Sequence, residues 1–287
     1  MKFRPLKKIW LLVKDSAIAW DEDNVLRLGA ALAYYTVLSL SPLLIIIIVL
    51  SSYGFGKEAA SGHLVAQIRG VVGVEGAKFV QSMIENAYNS GASIPAAIFS
   101  VLTLFLGASG VFVELRDSLN TIWRVKQQSS GTIVAFLHGR LLSIIMIIGL
   151  GLLLLLSLFF SAIVTLFSNY LSKTMSWIEG VFPVLDFAFS FIGITVLIAL
   201  IFKYLPDAIA KWSDVWIGAA VTSLLFSVGK IVIGLYLGST VIGTAFGAAS
   251  SLVMLMIWAF YSIQIVLFGA EFTRLYAERF GTRIVSC

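Results

Sequence analysis

Long apolar runs, each about as long as a bilayer crossing and separated by shorter polar or charged stretches, dominate the chain. A spanning helix needs roughly 20 apolar residues, because the hydrocarbon core is about 30 Å thick and each helical residue rises about 1.5 Å. Six segments meet that requirement: Gly29 to Ser52, Ile94 to Val113, Leu141 to Phe167, Val184 to Phe202, Val215 to Leu237 and Gly247 to Ala270. The runs are continuous rather than alternating, which sets a β-barrel aside. The stretch from Ile231 to Ala270 carries no charge, but Gly238, Ser239, Thr240, Gly243, Thr244 and Gly247 interrupt it and predict two helices joined by a tight turn.

Two weaker periodicities flank these runs. Leu6, Trp10, Val13, Ala17 and Trp20 recur at helical spacing opposite Lys7, Lys8 and Lys14, which predicts an amphipathic helix within residues 1–28 lying on the membrane face. It is no cleavable signal, since Leu11 to Val13 is too short an apolar core and Asp15, Asp21, Glu22 and Asp23 follow. Residues 57–90 are long for a simple connection. They carry one stripe at Leu64, Ile68 and Val72 and another at Phe79, Val80, Met83, Ile84 and Ala87, with Gly70, Gly73 and Gly76 between. Two amphipathic helices are expected there, either anchored in the interface or covering the outer mouth of the bundle. The organisation is therefore an N-terminal helix (1–28), a transmembrane domain (29–270) and a C-terminal tail (271–287).

Composition agrees with the pattern. Only 12% of the 287 residues are charged and 59% are hydrophobic, too few polar groups to cover a water-soluble globule. Fifteen Lys and Arg residues fall on the side of the termini and four, Lys57, Arg69, Lys78 and Lys173, on the other, so both termini are expected in the cytoplasm. The net charge of +5 then follows from topology and favours anionic membrane lipids as partners over nucleic acid. The single cysteine, Cys287, allows no intrachain disulfide and no Cys-based zinc site.

Candidate chemistry is sparse. Lys230 is the one ionisable residue well inside an expected span, where it either binds an anionic group or snorkels to the interface. The second span carries Gly107, Ala108, Ser109 and Gly110 and then Glu114, Arg116, Asp117 and Asn120, either a close-packing patch with a solvated extension or a gate whose Arg116 and Arg124 meet lipid phosphates. The sixth ends with Gln264, Glu271 and Arg274, the last two spaced to pair on one helical face. Gly234 and Gly238 suit close helix packing, and Pro42, after Ser39 and Ser41, predicts a kink in the first span. His63 and His138 lack metal-ligand spacing, no nucleotide phosphate loop occurs, and no acids stand beside a base or nucleophile. No catalytic residue, metal or cofactor is expected. A nuclease would have to bring together acids distant in sequence, drawn from Glu114, Asp117, Asp207 and Glu271.

Gly29 to Pro42 (GAALAYYTVLSLSP), Gly107 to Trp123 (GASGVFVELRDSLNTIW), Tyr204 to Asp207 (YLPD) and Phe268 to Arg274 (FGAEFTR) together resemble the YihY/BrkB family of bacterial inner-membrane proteins. Gly229-Lys230 and Gly234 to Gly238 are similar to that family's fifth helix, and the match runs from about Ala17 to Arg279. The resemblance implies a multi-pass inner-membrane location. Members have carried the label ribonuclease BN, regarded as a misassignment, and others are linked to resistance to serum killing and to handling of lipid or lipopolysaccharide precursors. Together these readings describe an all-α, six-helix membrane protein, compatible with a homodimer, that moves an anionic amphipathic molecule. Lys230 pairs with the anionic group in this reading, and Arg116, Arg124 and Arg274 collect it. A non-transporting envelope scaffold is the alternative and a membrane-bound ribonuclease the remote one.

Overall fold

The computed structural model describes residues 4–39, 81–82, 85, 110–125, 181–239, 250–282 and 284–286. Among these the chain is helical apart from one short ladder. The helices are α1 (Arg4–Glu22), α2 (Val25–Ser39), α3 (110–122), α4 (Val181–Tyr204), α5 (Trp212–Ser239) and α6 (Ser250–Arg279). Strand β1 (Ala208–Ile209) pairs antiparallel with β2 (Val285–Ser286), Ala208 opposite Ser286 and Ile209 opposite Val285. The expected third span, Pro42, Gly107, the turn at 240–249 and the outer segment lie outside the described residues, save Gln81, Ser82 and Glu85. Those three are helical, and Gln81 Nε2 donates to Glu85 Oε1 at 3.0 Å.

Both α5 and α6 contain stretches long and apolar enough to cross a membrane, Trp212–Ile233 and Leu252–Arg279. The helices overrun the expected limits for local reasons. α2 begins at Val25 rather than Gly29, because Asn24 takes a left-handed conformation (φ 52°) and its carbonyl accepts the Arg27 N–H at 2.9 Å. α5 begins at Trp212, with Asp214 in its first turn where the helix dipole favours an acid. α6 does not stop at Ala270 but runs to Arg279, as Arg274 pairs with Glu271 and Glu278 at three- and four-residue spacing. At about 1.5 Å per residue its 30 residues extend about 45 Å, more than the roughly 30 Å hydrocarbon core, so its charged end projects beyond the uncharged stretch Ser250–Ala270.

The chain forms two compact units, one of Met1–Asp23, Arg116–Ser227 and Phe268–Cys287, the other of Asn24–Leu115 and Val228–Leu267. In the first, α5 and α6 meet through a reciprocal pair of small residues. A Cβ on Gly218 would overlap Thr273 Oγ1, and a Cβ on Gly269 would overlap Thr222 Oγ1. Each threonine hydroxyl bonds back to the glycine four residues earlier in its own helix, Thr222 to Gly218 O at 2.7 Å and Thr273 to Gly269 O at 2.6 Å. The hydroxyls are thus satisfied while each threonine packs on the glycine of the other helix, the small-residue packing that lipid-embedded helices use in place of a hydrophobic drive.

Also in this unit, α1 is two-faced. Leu12, Ser16 and Ala19 are buried, whereas Ile9, Trp10, Val13 and Ile18 are exposed beside Lys7, Lys8 and Lys14. Asp15 pairs with Arg279, and Lys8 lies over the Phe280 ring at 6.0 Å, fastening α1 to the end of α6. In the second unit, Gln264 of α6 covers Gly29 and donates to the Val25 and Leu26 carbonyls at 3.3 and 3.5 Å. Tyr35 lies on Gly110, and Tyr261 and Ile265 lie on Gly229.

A bulky residue at the crossing should be poorly tolerated. Gly269→Val should lower unfolding stability by about 1–3 kcal/mol, the usual range for overpacking. Thr222→Ala in the same chain should restore part of the loss, because it removes the atoms struck; thermal unfolding of the single and double variants in detergent checks this non-additivity.

Candidate functional site

The first unit gathers the polar residues of α3, the α4–α5 connection and α6. Arg116 and Asn120 stand one turn apart on α3 and both reach Asp207. Arg116 Nε donates to Asp207 Oδ2 at 3.0 Å, and its NH2 group bonds Oδ1. The Asn120 amide closes a ring with the same residue: Nδ2 donates to Asp207 Oδ2 at 2.9 Å, and Oδ1 accepts the Asp207 backbone N–H at 2.8 Å. Asp207 follows the buried Pro206, which ends α4 and turns the chain into β1. The clamp therefore fixes a connection rather than an open pocket. Just past the end of α3, Trp123 Nε1 donates to Ala270 O at 3.2 Å, and its ring meets Phe202 edge-on at 6.1 Å.

α3 ends in a Schellman motif. The Arg124 and Val125 N–H groups bond the carbonyls of Thr121 and Asn120, both at 3.0 Å, with Arg124 left-handed at φ 53° where glycine is usual. An arginine there costs about 1 kcal/mol of backbone strain. Its guanidinium, 57% exposed, lies 3.8 Å from Glu22 and 3.9 Å from Asp23. A second anchor joins the C-terminal residues to the start of α5: the Thr282 N–H donates to the buried Asp214 carboxylate at 3.0 Å, alongside the β1–β2 ladder.

Among the described residues, Glu271 and Arg274 form the most enclosed ion pair, their side chains 0% and 4% exposed. Arg274 NH2 and Nε bond Glu271 Oε2 at 2.8 and 3.3 Å, and NH1 bonds Glu278 Oε1 at 3.3 Å. A buried guanidinium needs this acid, and losing one partner leaves the other charge stranded.

The structure brings together Arg116 with Asn120, and Glu271 with Arg274. The guanidinium charges of Arg116 and Arg274 are committed to carboxylates of the chain itself. Arg124 is the exposed one of the three arginines. Lys230 belongs to the second unit and is exposed on α5 beside Val228, Ile231 and Val232. Glu114 is half-buried, and the Asp117 carbonyl accepts the Thr121 hydroxyl at 2.8 Å. Gly110 and Gln264 serve packing in the second unit, as described. Of the acids a nuclease would need, Asp207 is held by Arg116 and Asn120, and Glu271 by Arg274; among the described residues no three His, Cys, Asp or Glu side chains are grouped to hold a metal ion. Asp23, Asp214, Gly218 and Thr222 were not singled out in the sequence. The repeated Gly-x-x-x-Thr spacing of Gly218/Thr222 and Gly269/Thr273 was the available signal for the crossing.

The family profile described as virulence factor BrkB matches residues 18–286. A UPF0761 membrane protein of Rhodospirillum centenum is 26% identical over 270 residues, covering 93% of this chain and 57% of that protein. One from Alcanivorax borkumensis is 26% identical over 283 residues, with 95% and 61% covered, and one from Tolumonas auensis 26% over 274 residues, with 92% and 85% covered. The chain thus spans about six tenths of the length of the first two of these relatives. None of the three names states an enzymatic activity. No solved structure matches.

Two outcomes follow from the clamp and the strained helix end. Arg116→Ala and Asp207→Ala should be coupled by about 1–2 kcal/mol in a double-mutant cycle, below the upper range for charged hydrogen bonds because Asp207 is 43% exposed. Arg124→Gly should relieve about 1 kcal/mol of strain. Its net effect on chemical denaturation should be neutral to slightly stabilising, since the exposed pairs it loses are weak.

Proposed function

We propose a transport function for this chain, which belongs to the virulence factor BrkB (YihY/BrkB) family of membrane proteins: it moves an anionic amphipathic molecule, such as a lipid or lipopolysaccharide precursor, across the inner membrane without hydrolysing ATP. The observation that carries this reading is Lys230. It is exposed on a helix able to cross a membrane, in the company of exposed Val228, Ile231 and Val232. A cation in such a setting calls for a counter-charge, and an anionic headgroup with apolar chains matches both the ammonium and the surface around it.

Within this reading both termini are cytoplasmic, and the exposed Arg124 is the first-contact cation. Arg116 and Arg274 hold the scaffold through Asp207 and Glu271 and admit an anion only in exchange for those carboxylates. Gly110 supplies close packing against Tyr35. The second reading is a non-transporting envelope scaffold, favoured by the exposed Trp10, Ile9 and Ile18 of α1.

Native mass spectrometry of gently extracted protein, with lipid identification, separates the two. Transport predicts a specific anionic lipid on the parent chain and its retention cut about tenfold or more in Lys230→Met, the equivalent of at least one charge contact of about 1.4 kcal/mol. Bulk lipid held equally by both proteins would favour the scaffold.

A further inference from the structure

In the first unit, the turn after α1 and the projecting end of α6 leave two buried carboxyl oxygens without a hydrogen-bond partner among the described residues. Glu271 Oε2 takes both bonds from Arg274, while Oε1 has none. The Asp23 carboxyl stands within hydrogen-bonding reach of Glu271, and its Oδ2 is the other orphan. Carboxylate oxygens withdrawn from water without a donor are costly, and two facing carboxylates add mutual repulsion. One proton placed between them turns that repulsion into an O–H···O bond.

Charge balance leads the same way. The enclosed groups are Asp23, Glu271 and Arg274, with side chains 17%, 0% and 4% exposed. Two acids and one guanidinium are neutral only when one proton is added. The other charged groups facing them reach solvent: Arg124 beside Asp23 and Glu22 on the α1 side, and Glu278 beside Arg274 on α6. Arg124 and Glu22 offset one another, and Glu278 is an acid open to solvent, so none of them supplies the missing positive charge inside.

We propose that Asp23 and Glu271 bind a single proton between Asp23 Oδ2 and Glu271 Oε1, which makes the end of α6 a proton-binding site. The proton comes from bulk water and returns to it. When bound, it fastens the turn after α1 to α6. When released, the two carboxylates repel, and Asp23 is drawn instead toward Arg124. The site stands independently of the transport reading and survives if Lys230 has no role.

Infrared difference spectroscopy of the full chain in detergent, titrated through neutral pH, tests the assignment. The parent should show the carbonyl band of a protonated carboxyl at neutral pH, shifted in heavy water and lost on alkalinisation. Glu271→Gln and Asp23→Asn should each abolish it, because the remaining acid then accepts an amide hydrogen and ionises. Absence of the band in the parent overturns the proposal without recourse to any variant. A band that survives in either variant also overturns it, since the proton then belongs to one residue or to another group. The linked readout is thermal stability: the folded parent holds a proton the unfolded chain has lost, so its melting temperature should fall as pH rises through the titration, and that slope should flatten in Glu271→Gln.

Discussion

The seating of a threonine of each helix on a glycine of the other, between α5 and α6, is the constraint on which the first unit is built. Gly218 and Gly269 let the two helices touch, and Thr222 and Thr273 fill the space each glycine leaves on its neighbour while bonding their own helix. The crossing lies within the residues that carry the polar chemistry. Glu271 and Ala270 fall between Gly269 and Thr273, so a separation of the helices would expose the Glu271–Arg274 pair and move the carbonyl that Trp123 uses. Small residues at one turn of helix thereby decide whether a buried ion pair can exist.

Most of the first unit's charged chemistry is spent on itself. Asp207 accepts three bonds from Arg116 and Asn120 and donates its backbone N–H to Asn120, Asp214 anchors Thr282, and Asp15 pairs with Arg279. Each of these ties residues far apart in the chain, and each gives a carboxylate hydrogen-bond donors it would otherwise lack near an apolar phase. Among the described residues, the outward-facing cations include Arg124, the lysines of α1, Arg27, Lys211 and Lys230. A function in recognising anions must work with that remainder.

The membrane character, the places of α5 and α6, and the pairing of Glu271 with Arg274 were legible in the sequence, because apolar run length and three-residue spacing are local signals. Gln264 was legible as a polar residue within a span, though not as the donor to Val25 and Leu26, some 239 residues away. The Asp207 clamp was out of reach for the same reason: Arg116 and Asn120 are 91 and 87 residues from it, and no spacing rule links them. The helix ends were misplaced where a single residue overrides hydropathy, as at left-handed Asn24, or where ion pairs prolong a helix, as at Arg274. The face of α1 that docks, Leu12, Ser16 and Ala19, was hidden because the more conspicuous stripe of Trp10 and Val13 faces outward.

The first unit draws on three separate stretches of chain, Met1–Asp23, Arg116–Ser227 and Phe268–Cys287. Its order of assembly during synthesis follows. Asp15 waits for Arg279, Asp214 for Thr282 and β1 for β2, so α1 and the α4–α5 connection emerge from the ribosome long before their partners exist. α6 therefore acts as the keystone of residues made long before it, and those residues must be kept from aggregating until α6 and residues 280–286 have been synthesised.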